Sequence, residues 1–201
     1  MRVRKYFLFV ISFSIILIIV SGCSGKQSLE LKSATVELNN DEERLGATGI
    51  TSGEREGEFI VPIALSYDIV LKNTGKRKLG EFAKINEKEF KVDDGIEVKI
   101  KPNEKLKEIS EDVMGFNIYN RNDDGILGVG ETGYPVLEPN KKGKYTIDFI
   151  LGALVENPDL KLAPPIEQLE RMKENAMVAS LIVSLEGEEI ASFDLSDLDL
   201  D

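Results

Sequence analysis

The stretch from Glu58 to Asn73, EFIVPIALSYDIVLKN, constrains the fold more than any other part of the chain. Apolar side chains occupy every second position, the periodicity of a β-strand whose alternate side chains share one face of a sheet. Pro62 falls on the opposite face and lacks a backbone N–H, which predicts an edge position or a bulge near the strand start. The predicted core face carries Phe59, Val61, Ile63, Leu65, Tyr67, Ile69 and Leu71.

Shorter alternating stretches occur on both sides of this strand, separated by turn-forming residues. A first strand is predicted at 29–38, followed by a long, polar, glycine-rich loop at 39–57. Two short strands are predicted around Asp94-Gly95 as a hairpin, and a terminal hairpin turns at 186–189. Further strands are predicted at 114–120 and at 145–151, the latter with Tyr145, Ile147, Phe149 and Leu151 on one face.

One segment has the periodicity of a helix. Pro164-Pro165 opens PPIEQLERMKENAM, in which apolar residues such as Leu169 and Ala176 recur at helical spacing. The charged segment 103–112 predicts a helical turn or a loop. The fold predicted is mainly β: an antiparallel immunoglobulin-like β-sandwich with one late amphipathic helix, as a single domain over 29–196 with an acidic tail at 197–201.

Two turns support this fold class. LSYDIVLKNTGKRKL runs from a long strand into an Asn-x-Gly turn, and LEPNKKGKYTIDFIL places a P-x-x-x-G turn before another alternating strand. Residues 58–151 in this respect resemble small immunoglobulin-like modules of unknown function on Gram-positive lipoproteins. The resemblance implies a cell-surface fold and no specific activity. The glycine-rich loop and the late helix are not part of that pattern.

Residues 1–22 have the composition of an export signal. Arg2, Arg4 and Lys5 precede an uncharged apolar run, FLFVISFSIILIIV, at 7–20. This run is shorter than the ~18–20 residues that a membrane-spanning helix needs. Its position at the N-terminus, after basic residues, therefore predicts a signal peptide.

The apolar run ends in VSGC, at Val20 to Cys23, which resembles a bacterial lipobox: aliphatic, small, small, cysteine. In that class of signals the thiol receives a diacylglycerol and signal peptidase II cuts before it. The resemblance implies lipidation at Cys23 and removal of residues 1–22. The alternatives are an ordinary secretory signal and a single-pass anchor with an unrelated cysteine. Cys23 is the only cysteine in the chain, so no intramolecular disulfide can form.

A lipid at Cys23 implies a location on the extracytoplasmic face of the cell membrane. Stable anchoring takes two acyl chains, and a diacylglycerol supplies them. The lipidated Cys and a short tether occupy residues 23–28, which reach about 20 Å when fully extended at ~3.5 Å per residue. The folded part is therefore expected close to the outer leaflet.

Charge and composition exclude several classes of function. Without residues 1–22 the chain keeps 22 Lys and Arg against 36 Asp and Glu, a net charge of −14. This argues against a nucleic-acid partner and against a polybasic membrane-binding patch. The chain has no His, which excludes Ser-His-Asp and Cys-His mechanisms and the common zinc sites. It contains no G-x-S-x-G, phosphate loop or dinucleotide fingerprint.

The stretch NRNDDGILGVGE, at Asn120 to Glu131, fits the calcium-loop pattern D-x-[DN]-x-[DN]-G-x5-E at every position but the first. In such a loop side-chain oxygens and one carbonyl bind the ion, and a Gly at the sixth position makes a sharp bend. The candidate calcium ligands are the side chains of Asn120, Asn122, Asp124 and Glu131 and the carbonyl of Ile126.

Three features argue against calcium. Asn120 lacks the charge expected at the first position, and only Asp124 and Glu131 bring formal charge to the ligand set. The flanks also predict strand and turn rather than a helix-loop-helix. The alternative is a long hairpin loop in which Asp124-Gly125 starts the turn. Two charged ligands predict a weak site, with a Kd of ~10⁻⁴–10⁻³ M.

Three functions are compatible with these observations. The first is a non-enzymatic binding or assembly module, anchored at the membrane, with an envelope protein as partner and no required cofactor. The second is a calcium-stabilised version of that module in adhesion or partner binding. The third is an envelope enzyme that uses carboxylates, which acids converging from different strands in a concave pocket would favour.

Overall fold

The computed structural model describes residues 29–81, 85–86, 89–90, 95–120 and 127–198. Residues 1–28, which contain the predicted signal peptide, Cys23 and the predicted tether, lie outside these ranges. The strands of the described part are β1 (Leu29–Asn39), β2 (Thr48–Gly49), β3 (Phe59–Ile60), β4 (Pro62–Asn73), β5 (Ile85–Asn86), β6 (Glu89–Phe90), β7 (Ile96–Pro102), β8 (Val129–Gly133), β9 (Lys142–Ala153), β10 (Ala179–Leu185) and β11 (Glu188–Asp194). The helices are α1 (Glu42–Leu45), α2 (Glu104–Met114) and α3 (Ile166–Asn175), followed by a 3₁₀ turn at Leu195–Asp197.

Antiparallel pairing organises these strands into two main sheets. One has four strands in the order β1-β4-β9-β8, and the other has three in the order β11-β10-β7. Two short hairpins, β2-β3 and β5-β6, add to them. The mainly β, antiparallel prediction is confirmed, because every pairing between these strands runs antiparallel.

The centre of the molecule is the pairing of β4 with β9, which runs from Pro62 opposite Ala153 to Lys72 opposite Lys142. Leu65 lies opposite Phe149, and because directly paired side chains share a face, the two alternating patterns make one apolar surface. The predicted core face of β9 is confirmed. On β4 the prediction holds from Ile63 onward, where the core-facing residues are Ile63, Leu65, Tyr67, Ile69 and Leu71.

The predicted core face is wrong at its first residue. Phe59 is 73% exposed, because it belongs to the short strand β3 and pairs with Gly49 instead of continuing β4. Val61 is only half-buried and falls between the two strands. Of the two expectations for Pro62, the bulge is confirmed: β4 lies inside its sheet, and its register with β9 shifts between Ile63 and Ala64.

The predicted late helix is confirmed as α3, but it is one of three helices in the described residues. Of the two alternatives for 103–112, a helical turn or a loop, the helical one is correct: α2 runs from Glu104 to Met114 and its ends are well defined. The Asn103 side chain accepts the Leu106 N–H at 2.9 Å, and Gly115 closes the helix in the left-handed conformation. Leu106, Ile109 and Val113 are buried at helical spacing. Core packing therefore stabilises a helix whose sequence is rich in charged residues.

The strand predicted at 114–120 is also wrong. Met114 ends α2, and the chain then turns. The Ser110 hydroxyl donates to the Phe116 carbonyl at 3.2 Å and accepts the Ile118 N–H at 3.0 Å. These bonds satisfy the Phe116 carbonyl and the Ile118 N–H within the turn. The buried apolar residues of the turn therefore need no neighbouring strand as a hydrogen-bond partner.

The two predicted hairpins have different outcomes. The terminal hairpin is confirmed, with β10 and β11 joined at 186–187. The hairpin predicted about Asp94-Gly95 is not found in the described residues: β6 pairs with β5, and β7 pairs with β10. Asp94 itself lies outside the described ranges.

Both main sheets contribute to one hydrophobic core. Residues of β4, β7, β9 and β10 belong to the same buried cluster, together with Leu106 of α2 and with Leu169 and Met172 of α3. The cluster extends to Leu195, and Leu198 packs against it, so the described start of the predicted acidic tail is held by the core. None of the described helices has the length and apolar character required to cross a membrane.

The contrast between Leu65 and Phe59 gives a test of the fold. Leu65 is fully buried, so Leu65→Ala should lower the free energy of unfolding by ~2–5 kcal/mol. Phe59→Ala is the matched control and should change it by less than about 0.5 kcal/mol, because that ring is exposed. Urea unfolding of residues 24–201 measures both values. A similar loss from the two variants would contradict the described register of β3 and β4.

Candidate functional site

The candidate calcium loop is described only at its two ends. Asn120 follows the turn after α2, and Glu131 lies in the middle of β8. Asn122, Asp124 and Ile126 lie outside the described residues. Within the described part of the chain, no group of three or more His, Cys, Asp or Glu side chains is placed to hold a metal ion.

Tyr119, just before this loop, and Val129, near its end, both lie beside one residue of β9. The ring of Tyr119 packs edge-on against the ring of Phe149 with centroids 4.8 Å apart, and Val129 is the β8 partner of the same Phe149. The chain therefore leaves and returns over one position of the sheet. This closure arises because Val129 pairs in register while Tyr119 turns into the core.

A buried pair of hydroxyl groups fixes the first end of the loop. The Tyr67 hydroxyl donates to the Ala176 carbonyl at 2.9 Å. It has one hydrogen, so the 2.9 Å contact with Tyr119 is a bond that Tyr119 donates. Burial raises the pKa of the Tyr67 and Tyr119 hydroxyls, which keeps both neutral at ordinary pH. A neutral, fully bonded pair ties the loop to β4 and to the end of α3.

Glu131 points toward a cleft between the two main sheets. Its β9 partner is Ile147, whose side chain is in the core, so Glu131 lies on the core-facing side of an outer strand. In the described chain β8 pairs only with β9, and β7 only with β10. The cleft between β7 and β8 has a volume of about 420 Å³ and is lined by Ile96, Glu97, Val98, Lys99, Glu131, Thr132, Gly133, Pro135, Tyr145 and Thr146.

The two sheets are joined at the closed end of this cleft. The Ile96 N–H donates to the Pro135 carbonyl at 3.0 Å. Gly80 packs on the same carbonyl with φ +76°, and a Cβ there would lie 2.0 Å from the Pro135 oxygen. Burial raises the pKa of Tyr145 to about 12, and its neutral hydroxyl donates to the Tyr134 carbonyl at 3.0 Å. The closed end is therefore rigid and specific to glycine at position 80.

The outer face of the four-stranded sheet is tied to the segment predicted as a long loop at 39–57. Arg44 of α1 donates from Nε to Asp148 at 2.9 Å and from Nη1 to Asp68 at 3.0 Å. Burial opposes its charge, but the bonds to Asp148 and Asp68 outweigh this and raise the pKa of Arg44. Asp148 is buried, so the ion pair is partly desolvated and holds α1 on β4 and β9.

Most of the exposed large apolar side chains lie at one end of the four-stranded sheet, the end where β4 begins and β9 finishes. Among the described residues six such side chains are exposed, and only Tyr134 lies elsewhere. We call the other five the apical surface: Phe59, Leu154, Val155, Leu162 and Ile166, between 46% and 73% exposed. Such a concentration of exposed apolar side chains is typical of interaction surfaces.

Hydrogen bonds bring the segments of the apical surface together. The Ala153 N–H donates to the Lys161 carbonyl at 2.8 Å, and the Ala163 N–H donates to the Ala153 carbonyl at 2.8 Å. Gly152 permits this approach, since a Cβ there would lie 2.5 Å from the Lys161 oxygen. Asp159 accepts the N–H and hydroxyl of Thr51, which attaches the β2-β3 hairpin. The surface is therefore built on a fixed backbone.

No family model matches the chain, and no curated protein or solved structure shows significant similarity to it.

Sequence reasoning missed the apical surface and the Arg44 bridge. Arg44 has its partners 24 and 104 residues away, and no local pattern marks such an ion pair. Leu154, Val155 and Leu162 are apolar residues in a loop without periodicity, which gave a signal that could have been noticed. Their position at the same end of the sheet as Phe59 depends on the return of the chain at 161–163.

Proposed function

We propose that the protein is a lipid-anchored module on the extracytoplasmic face of the cell membrane that binds a protein of the envelope. The anchor is Cys23, supported by the order of basic residues, apolar run and VSGC. Binding is assigned to the apical surface. The observation that carries this assignment is the position of that surface relative to the start of β1.

The apical surface and Leu29, the first described residue, lie at opposite ends of the same sheet. Leu29, six residues after Cys23, pairs with Asn73 at the end of β4, whereas Phe59 precedes its beginning. The β4–β9 register between these ends covers Pro62–Lys72, which is about 35 Å of strand. A chain held by Cys23 therefore presents its exposed apolar side chains away from the membrane, where a partner protein can reach them.

The two sheets are proposed as the layers of an immunoglobulin-like sandwich. Their shared core and antiparallel pairing support this, as do the two turns that carried the resemblance. Asn73 of the first turn accepts the Asn140 N–H of the second at 2.7 Å and donates its own N–H to Lys141 at 3.0 Å. The central positions of α2 and α3 in the core are additions to that pattern.

A calcium-stabilised form of the module is the second candidate. The observation that favours it is the closure of the loop on Phe149, because a calcium loop must bring its first and last ligands together. Asn120, Asn122, Asp124, Glu131 and the Ile126 carbonyl would bind the ion. Calcium bound there would stabilise the join between α2 and β8 beside the cleft.

Replacing Cys23 tests the anchor. Cys23→Ala removes the only thiol, so it should abolish labelling by a fatty-acid analogue and release the protein from the membrane fraction. Cys23→Ser is the closest control in size and should behave in the same way. Retention of Cys23→Ala in the membrane fraction would mean that the apolar run 7–20 is an uncleaved anchor.

Photo-crosslinking in cells tests partner binding. A photoreactive phenylalanine analogue at Phe59, in the full-length protein, should give a discrete adduct with an envelope protein, because that ring is 73% exposed at the apical surface. The matched control is the same analogue at Tyr134, which is 61% exposed but outside this surface. Equal adducts from both positions, or none from Phe59, would contradict the assignment.

Calorimetry and thermal melting test calcium binding. Residues 24–201 in millimolar calcium should melt at a higher temperature than in chelator, because an ion that binds only the folded chain stabilises it. Glu131→Gln should remove the increase, and Glu97→Gln, across the cleft on β7, is the matched control that should keep it. No heat and no shift at about 10 mM calcium, well above the expected Kd, would leave the stretch as a hairpin loop.

A further inference from the structure

The end of the four-stranded sheet opposite the apical surface concentrates positive charge. Three strand ends and two turns meet there: β1 begins, β4 finishes and β9 begins. We call this group the basic pole. Its residues are Lys32, Lys72, Lys76, Arg77, Lys78, Lys141, Lys142 and Lys144, all exposed except the half-buried Lys72.

Strand register and backbone bonds place these residues side by side. Lys72 lies opposite Lys142 on β9 and opposite Glu30 on β1. The Asn73 side chain donates to the Arg77 carbonyl at 2.8 Å and to the Leu137 carbonyl at 2.9 Å. Because Asn73 is buried, it fixes the turn that carries Lys76, Arg77 and Lys78 against the turn that carries Lys141 and Lys142.

Acidic residues at the basic pole are few. Glu30 is bonded to Lys32, and Glu81 lies 3.6 Å from Lys78. Glu138 is exposed in the second turn. The hydrogen bond from Lys32 and, after it, the charges of Lys32, Lys72 and Lys142 lower the pKa of Glu30, although burial opposes this. Among the described residues, eight cations against three carboxylates give this pole a charge of sign opposite to that of the chain as a whole.

The net charge of −14, from which the sequence argued against a polybasic membrane-binding patch, therefore does not describe every surface. A chain with its charges mixed at random would on average place more acidic than basic residues at each end of the sheet. The basic residues are also concentrated at one particular end of the sheet. They lie around Leu29, the first described residue after Cys23.

We propose that the basic pole docks on the anionic phospholipid surface of the membrane that Cys23 anchors. The inference rests on the proposed function for the way the chain reaches that surface. Residues 23–28 allow about 20 Å of tether at full extension, which keeps the pole within reach of the headgroups. Each Lys or Arg close to an anionic surface favours the docked state by about fivefold.

Docking fixes the orientation that the anchor alone leaves free. A lipid at Cys23 alone sets no orientation of the two sheets, whereas contact through the basic pole sets β4 and β9 upright on the bilayer. The apical surface then stands about 35 Å above the headgroups, at the length of the β4–β9 register. Attraction of this kind decays over a Debye length, about 10 Å at 0.1 M salt and about 3 Å at 1 M.

Lysine footprinting of the full-length protein in vesicles tests the proposal. The protein, purified in detergent from expressing cells, is reconstituted into phosphatidylcholine vesicles and into vesicles of phosphatidylcholine and phosphatidylglycerol in equal parts. A membrane-impermeant amine reagent then labels exposed lysines, which are read by mass spectrometry. Lys76, Lys78, Lys141 and Lys142 should react about fivefold or more slowly on anionic vesicles at about 0.1 M salt and recover at about 1 M. Lys99, Lys101 and Lys105, exposed on β7 and α2, are internal controls and should not change.

Two charge-reversal variants make the assignment specific. Lys76→Glu/Arg77→Glu/Lys78→Glu should abolish the protection of Lys141 and Lys142, which the variant retains. Lys99→Glu/Lys101→Glu/Lys105→Glu changes the net charge equally and should preserve it. All six substituted side chains are exposed, and the salt comparison on the unaltered protein decides the question even if a variant folds poorly.

The outcomes separate docking from anchoring. Co-flotation of the protein with pure phosphatidylcholine vesicles shows that the lipid anchor is inserted, independently of the reactivity of the lysines. Flotation with equal reactivity of the pole lysines on both kinds of vesicle overturns docking and leaves the anchor intact. Protection in detergent without lipid, rising with protein concentration, would assign the basic pole to an acidic surface of a second copy and also overturn docking on lipid.

Discussion

The antiparallel pairing of β4 with β9 is the constraint on which the rest of the structure depends. Its core face, with Leu65 and Phe149 opposite each other, receives the three-stranded sheet and two helices. Its outer face presents Asp68 and Asp148 to Arg44, which holds α1. Both faces of one strand pair are thus in use, and the pair also sets the distance between the two ends of the molecule.

Those two ends differ in chemistry because different turns close them. At one end Gly152 allows the chain to return beside Ala153, which leaves apolar side chains exposed on a fixed backbone. At the other end Asn73 joins two lysine-rich turns around the start of β1. In the proposed function these ends face a partner protein and the membrane, respectively, so one elongated sheet separates two kinds of contact.

Prediction from sequence succeeded for strands and helices that bury one face, because the buried positions then recur at regular spacing. The alternation of Tyr145, Ile147, Phe149 and Leu151, and the stripe that forms α3, are each read from consecutive residues. It left α2 undecided between a helical turn and a loop, because charged residues surround its four buried apolar positions, and it failed at Phe59, where the alternating pattern continues but the strand does not. In both cases the local structure depends on which distant segment of the chain packs against these residues. The spacing of residues along the sequence does not identify that segment.

The sequence by itself determined the long central strand, the mainly antiparallel fold, and the signal and VSGC pattern that predict an anchor at Cys23. Only the tertiary structure decided where charge and apolar surface accumulate. Lys72, Arg77 and Lys142 are scattered over seventy positions of an acidic chain and become neighbours through strand register and the bonds of Asn73. Net charge and composition are sums over the whole chain, whereas a membrane or a partner meets a single surface, and that surface exists only after distant segments have paired.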